Sequence, residues 1–313
     1  MKEKLVIITG PTAVGKTELS IEVAKRFNGE IISSDSMQIY KHMDIGTAKI
    51  SKDDMKGINH HLIDFLDPAT EFSVYDYKEM ASQVISVLND ENKLPIIAGG
   101  TGLYINSLVY DLNFSPIAPN KVLREKYDRI FIEEGSVGLY ERLIKIDPES
   151  ADRIDPNNHQ RLMRALEVTE SSGIPFSKYN KDFRKESDKY DMAYYCLNMD
   201  RDKLYDRINK RVDIMFEKGL LDEVKYLLDR GYNKDMLSMK AIGYKEIIAY
   251  LEGNMSLDKA IDNIKQGSRN YAKRQLTWFR RDNRIKWVNI DLFKDRNEMI
   301  NFVLDDIAIT LNI

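Results

Sequence analysis

The chain holds one cysteine, Cys196, in 313 residues. That excludes an internal disulfide and a cluster of thiolate ligands, and it fits a reducing cytoplasm. Histidine is scarce as well. His42, His60, His61 and His159 are the full set, and none sits in an H-x-x-x-H or H-E-x-x-H arrangement. A zinc centre is therefore not expected, and the adjacent pair His60-His61 reads as the start of a strand. No apolar run is long enough to span a bilayer, and the one within residues 1–10 is too short for a signal sequence, so no membrane association is expected. Neither sign of charge dominates: 47 basic against 50 acidic residues leave a net charge of −3. Any surface for a polyanion must then be local. Internal repeats and low-complexity segments are missing too. The hydrophobic content of 43% and charged content of 31% are ordinary for a globular protein, and the length suffices for two lobes.

What the chain does have is GPTAVGKT at 10–17, which matches G-x-x-x-x-G-K-[ST] at Gly10, Gly15, Lys16 and Thr17. The octapeptide follows the apolar run Leu5-Val6-Ile7-Ile8 and precedes a helical pattern of Leu19, Val23, Ala24 and Phe27. Strand, glycine loop and helix in that order form a phosphate cradle. The glycines let backbone N–H groups turn inward on an anion, and the helix adds its positive end. Lys16 adds a full charge, and the Thr17 hydroxyl can reach a magnesium ion. Between Gly10 and Gly15, the residues Pro11, Thr12, Ala13 and Val14 supply only backbone. The loop alone does not distinguish a nucleoside triphosphate from another diphosphate ester.

Short apolar runs at 5–9, 30–34, 61–65, 94–98, 192–198 and 284–290 read as buried parallel strands. Helical spacing lies between them, at 16–27 and through Tyr77, Met80, Ala81, Val84 and Leu88. The alternation predicts a doubly wound α/β core with a parallel sheet, of the phosphate-loop type. From about Asn113 to Lys189 no strand pattern appears. Pro116 and Pro119 mark its beginning, the polar run 184–191 marks its end, and Leu162, Leu166 and Thr169 repeat at helical spacing. This predicts a helical insertion, 113–189, within a core of 1–112 and 190–313. A helical C-terminal part is expected at 201–216, 220–229, 244–251, 256–281 and 297–311.

Two further sites stand at strand ends. Asp35, after Ser33-Ser34, has its roles open: an N-cap or an outer-sphere magnesium ligand on one reading, a general base aimed at an incoming nucleophile on the other. Thr101, in Gly99-Gly100-Thr101-Gly102, has a hydroxyl for phosphate or substrate, or forms a plain turn. Arg161 and Arg164 share a helix face at i, i+3, as Arg207 and Arg211 do at i, i+4. Between 265 and 286 lie Lys265, Arg269, Lys273, Arg274, Arg280, Arg281, Arg284 and Lys286 against one acid, Asp282. Such a stretch in an acidic chain favours contact with a nucleic acid over a merely solvated face.

Taken with SDSMQIY (34–40), DIGTAK (44–49), HHLID (60–64), GGTGLYI (99–105), HQRLMRALEV (159–168), KAIGYKE (240–246) and RNYAKRQLTWFRR (269–281), the phosphate loop resembles the tRNA dimethylallyltransferases, also called tRNA isopentenyltransferases, in their bacterial form. The resemblance runs in order through nearly the whole chain. Eukaryotic members add a C-terminal zinc finger, which one cysteine does not allow. Val14 stands where many members have serine, a position that needs only its N–H.

The resemblance implies that the exocyclic amine of the adenosine 3′ of the anticodon in tRNA attacks the first carbon of dimethylallyl diphosphate, releasing diphosphate. It implies Mg2+ as cofactor, with Thr17 as its ligand, and a cytoplasmic enzyme; a monomer is expected because no apolar stripe is spare. Lys16, Thr17 and Arg211 would hold the diphosphate, Asp35 would act as base, and Thr101 would lie near the reaction centre. Asp35, Ser36, Met37, Gln38, Thr101, Gln160, Arg161, Leu162, Met163 and Arg164 would meet the target adenosine and its neighbours. Lys240, Gly243, Tyr244, Lys245, Arg269, Lys273 and Arg274 complete the expected tRNA contacts. A prenyl donor also explains why no core strand clearly ends in the apolar-run-then-Asp pattern of nucleotide hydrolysis; Leu62-Ile63-Asp64 is the nearest match.

Overall fold

The computed structural model describes residues 2–112, 120–179 and 185–313. Asn113, Pro116, Pro119 and Arg184, read from the sequence as bordering the insertion, lie outside the described residues. The chain divides into two compact units, Met1–Val109 with Asp188–Ile313, and Tyr110–Ser187.

The first unit is built on a parallel sheet of β1 (Glu3–Thr9), β2 (Gly29–Ser34), β3 (His60–His61), β4 (Leu94–Gly99), β5 (Tyr190–Asn198) and β6 (Lys286–Asn289). Their spatial order is β3-β2-β4-β1-β5-β6. Helices cover both faces, so the central strands are apolar without alternation. Leu5, Val6, Ile7 and Ile8 are each fully buried, and each such side chain contributes about 1.5–3 kcal/mol. The chain leaves β1 toward β2 on one side and leaves β4 toward β5 on the other. The carboxyl ends of β1 and β4 thus flank the crevice where open α/β sheets bind ligands.

The described helices are, in order, α1 (Lys16–Arg26), α2 (Val74–Asp90), α3 (Gly102–Val109), α4 (Lys121–Ile146), α5 (Pro148–Arg153), α6 (His159–Ser172), α7 (Phe176–Tyr179), α8 (Arg201–Glu217), α9 (Leu220–Asp229), α10 (Tyr244–Leu251), α11 (Leu257–Phe279) and α12 (Arg296–Leu311). In the first unit α1, α8 and α12 join the β1–β5 core. A second core gathers Val224 and Leu227 of α9, Ile247 of α10 and Ile264 of α11 around Ile39, Tyr40 and Met43. The second unit contains α4 to α7, and its own core is Tyr127, Leu139, Leu143, Ala151, Ile154, Leu162, Ala165 and Leu166. There α4 breaks at Gly135, whose φ is 70°. The periodicity around Leu162 and Leu166 foretold α6 but gave no sign of α4 or α5.

One strand departs from expectation. The run 61–65 keeps sheet geometry only at His60–His61. Leu62 and Asp64 both take a left-handed φ of 56°, which ends a strand. Asp64 N–H then donates to Gln38 O at 2.9 Å, and Phe65 N–H to Ile39 O at 3.0 Å. Asp64 ion-pairs with Lys49 at 2.8 Å. His61 is held by an acid as well: its Nε2 lies within hydrogen-bond distance of Glu30 Oε2, at 2.7 Å. Burial works against the Glu30 charge, but hydrogen bonds from Lys93, His61 and Asn59 outweigh it and bring the carboxyl down to about 2.

Candidate active site

β1 delivers the chain to the phosphate loop against β5. Gly10 has φ 143°, and a Cβ there would lie 2.6 Å from the Leu197 carbonyl oxygen, so only glycine fits. Val14 turns into the core at 1% exposure, which is why an aliphatic side chain serves there. Gly15 is the N-cap of α1, and no side chain caps the helix's first N–H groups. Thr12, Ala13, Gly15, Lys16 and Thr17 line a cavity of about 380 Å³; Gly10, Pro11 and Val14 pack behind them, buried.

Across this cavity α8 presents Arg207, Lys210 and Arg211. Among the described residues these three make no ion pair or side-chain hydrogen bond. With Lys16 they face a single lining carboxylate, Asp35. Unpaired cations gathered in a half-buried cavity are costly unless an anion completes them. Burial, with Arg207 adding and Asp35 opposing, holds the Arg211 guanidinium below its ordinary range. Lys16 Nζ donates to the carbonyls of Gly10, at 3.1 Å, and Pro11, at 2.8 Å. Burial and the Arg211 charge bring the ammonium down to about 8, although Asp35 pulls the other way. The wall also carries an apolar part, Ile31, Ile50, Ile63, Ala98 and Ile214, and uncharged polar side chains that include Ser33, Gln38 and Gln275.

A second cavity, of about 400 Å³, shares Thr12, Asp35, Thr47, Ala48, Arg211 and Tyr271 with the first. Its other lining includes Met37, Leu237 and Ile242, with Lys240, Lys245 and Arg274 as its cations besides Arg211. Asp35 therefore stands where the two meet. Its Oδ1 accepts the N–H groups of Met37, at 2.9 Å, and Gln38, at 3.3 Å. Its Oδ2 takes no hydrogen bond from the described residues. One carboxylate oxygen thus holds the turn, and the other is left unengaged by the described residues.

Thr101 belongs to the turn that follows β4. It lines neither cavity. Its N–H donates to Ser34 O at 3.0 Å, and its Oγ1 accepts from Ser36 N–H at 3.1 Å. Its hydroxyl also reaches the Tyr271 phenol, which burial and Asp35 push well above its ordinary value. Thr101 so fixes the backbone beside Asp35. Gln275 does comparable work, unforeseen from sequence. Its Oε1 accepts Thr12 N–H at 2.9 Å and its Nε2 donates to Gly100 O at 3.0 Å, joining the phosphate loop to the second glycine turn. Arg207 and Lys210 had a readable signal, the run RINKR at 207–211 with cations at i, i+3 and i+4. Gln275 had none, since its partners lie 263 and 175 residues away.

Residues 38–282 match the family model described as IPP transferase. The chain belongs to the IPP transferase family. It is 46% identical to a full-length tRNA isopentenylpyrophosphate transferase from Bacillus halodurans, over 99% of this chain and 97% of that one, with a TM-score of 0.75. It is 44% identical to a tRNA delta(2)-isopentenylpyrophosphate transferase from Staphylococcus epidermidis, over 99% of both chains, with a TM-score of 0.71. A eukaryotic dimethylallyltransferase acting on tRNA is 29% identical over 99% of this chain and 80% of that one, with a TM-score of 0.82. The parallel α/β fold described above is the one this chain shares with those structures.

Within this IPP transferase, the residues expected at tRNA divide sharply. Lys240 and Lys245 are exposed beside the second cavity. Tyr244 and Leu162 are not accessible: both are 0% exposed, each in the core of its unit, and such a side chain has no surface to offer RNA. Gly243 is buried at the start of α10. In the second unit Gln160 and Arg161 are exposed, Met163 packs partly on the core, and Arg164 pairs with the buried Glu167 at 2.8 Å. The basic stretch also divides. Lys265, Arg284 and Lys286 have acidic partners in Asp213, Asp282 and Asp306, and Arg269 donates to Asn209 at 2.6 Å. Lys273, Arg274, Arg280 and Arg281 are exposed and make no ion pair among the described residues. Lys273 and Arg274 lie in the last two turns of α11, and Arg280 and Arg281 directly follow its last residue, Phe279, so this stripe runs past the helix end. Trp278 is structural: a Cβ on Gly102 would come within 2.2 Å of its ring.

Proposed function

We propose that this protein transfers the dimethylallyl group of dimethylallyl diphosphate to the exocyclic N6 of the adenosine 3′ of the anticodon in tRNA, releasing diphosphate, as a cytoplasmic monomer. The observation that carries the reading is Asp35 at the junction of two cavities, one walled by four cations and isoleucines, the other rimmed by lysines and arginine. The first suits a short alkyl diphosphate. The second suits a nucleoside on a polyanionic chain. Family membership supports the same pair of substrates.

In this reading the N6 lone pair attacks the first carbon of the donor, and the carbon–oxygen bond breaks with its electrons passing to diphosphate. Lys16, Arg207 and Arg211 stabilise the charge that grows on the leaving oxygens. The N6 proton passes to Asp35 Oδ2. The adenine must leave its stack to reach so enclosed a site. For magnesium, the Thr17 hydroxyl lines the cavity and Asp35 is the sole lining carboxylate. The described residues hold no cluster of three His, Cys, Asp or Glu. That donor set fits a cation held by Thr17 and otherwise by diphosphate oxygens and water. When bound, magnesium adds positive charge at the leaving group. None of the described helices is long and apolar enough to cross a membrane.

Incubation with tRNA, dimethylallyl diphosphate and magnesium, followed by nucleoside mass analysis, tests the reading. One adenosine per tRNA gains a single five-carbon unit. ATP turnover with an alcohol acceptor, and unmodified tRNA, would instead identify a kinase. RNA binding has its own expected result. Glutamine at Lys273, Arg274, Arg280 and Arg281 removes four cations, so the slope of log K against log salt becomes shallower by about 3, and affinity falls at low salt. An unaltered slope returns the stripe to mere solvation.

A further inference from the structure

The loop 44–49 (DIGTAK) is a wall common to both cavities. Thr47 and Ala48 line each of them, and Gly46 lines the second. No sheet or long helix holds this loop. A carboxylate holds its first three residues. Glu223 of α9 accepts three consecutive backbone N–H groups: Oε2 takes those of Asp44, at 2.9 Å, and Ile45, at 2.7 Å, and Oε1 takes that of Gly46, at 3.0 Å. The Tyr244 hydroxyl donates to the same Oε1 at 2.6 Å. Successive N–H groups converging on one anion form a nest, and bonds to an ionised acceptor are stronger than those to a neutral one.

The far end of the loop is tied to the turn that carries Asp35. Gln38 Nε2 donates to the carbonyls of Thr47, at 3.1 Å, and Ala48, at 3.3 Å. Gln38 N–H is itself one of the donors to Asp35 Oδ1. A continuous set of bonds so runs from α9 through the loop to the carboxylate between the cavities.

We infer that Glu223 is a positioning residue for prenyl transfer. Its carboxylate fixes loop 44–49, and through it the shape of both cavities, without touching either substrate. The inference rests on the function proposed above. Glu223→Gln places an amide NH2 where one oxygen stood, so it confronts N–H donors of the loop with another donor. Displacement near 1 Å at a site of this kind costs about 10²-fold in rate.

Steady-state kinetics of Glu223→Gln with dimethylallyl diphosphate and with tRNA form the test, beside a thermal melt. The expected result is a rise in KM for both substrates together, with kcat/KM lower by about 10²-fold, in a protein that melts near the wild type. Tyr244→Phe removes one donor of the four and shifts both KM values less. A loss of kcat with both KM values unchanged reports only a smaller folded fraction and overturns the inference, as do wild-type kinetics. If Glu223→Gln does not fold, Gly46→Ala takes its place. It leaves Glu223 intact but puts a Cβ 2.5 Å from the Tyr244 ring, and unchanged KM values there overturn the inference equally. A wild-type protein that fails to modify tRNA is a separate outcome, which removes the prenyl-transfer reading itself.

Discussion

Asp35→Asn lowers kcat by about 10²–10⁴-fold, the usual worth of a positioned general base, while tRNA affinity changes only modestly. The asymmetry of the carboxylate makes this substitution informative. Oδ1 accepts the N–H groups of Met37 and Gln38, and an asparagine oxygen can keep both bonds. Only Oδ2 changes, from a proton acceptor to an NH2 donor. The N6 amine is a poor nucleophile because its lone pair is delocalised into the ring, and bond formation to carbon leaves it with a proton to lose. An amide at that point cannot take the proton and presents a hydrogen where a lone pair is needed. Single-turnover measurement with saturating tRNA and donor isolates the step. A kcat within a few-fold of wild type would falsify the base assignment. Asp35→Ala is the weaker test, since it removes the turn as well as the base.

The phosphate loop and Asp35 were legible in the sequence because their geometry is local. A glycine pair, a strand end and a following helix fix the cradle within about ten residues, and the strand-end rule puts Asp35 beside it. Other features depend on partners far along the chain. The strand at 61–65 stops at His61 because Leu62 and Asp64 go left-handed to bond with Gln38 and Ile39, which no β-propensity reveals. Glu223 and Gln275 each read as an ordinary polar residue on a helix. Their roles come from backbone groups at 44–46, 12 and 100. Tyr244 and Leu162, picked with motifs that resemble RNA-binding segments, are buried because those motifs also carry the residues that pack the helices. The basic run was half misleading for a similar reason: charge is visible in sequence, but the acids that neutralise Lys265 and Lys286 lie 52 and 20 residues away on other helices.

Lys16→Ala lowers kcat/KM for dimethylallyl diphosphate by about 10²–10³-fold, as expected for the loss of one preorganised group at a developing oxyanion. Part of the loss falls on kcat, because charge on the bridging oxygen grows as the carbon–oxygen bond opens. Arg211 and Arg207 remain in the cavity, so some donor affinity survives, and adding Arg211→Ala costs less than its single effect predicts, since the two cations share one anion. A pH profile separates the charge from the shape of Lys16. Burial and Arg211 bring its ammonium down to about 8, and only the protonated form serves the diphosphate. Thus kcat/KM for the donor, which reports the free enzyme, falls as pH rises through about 8, with a limit of tenfold per pH unit. In Lys16→Ala that alkaline limb disappears, leaving a low plateau. A variant that keeps the wild-type kcat/KM, or one that keeps the limb, would move the departing charge away from the phosphate loop and onto the arginines of α8.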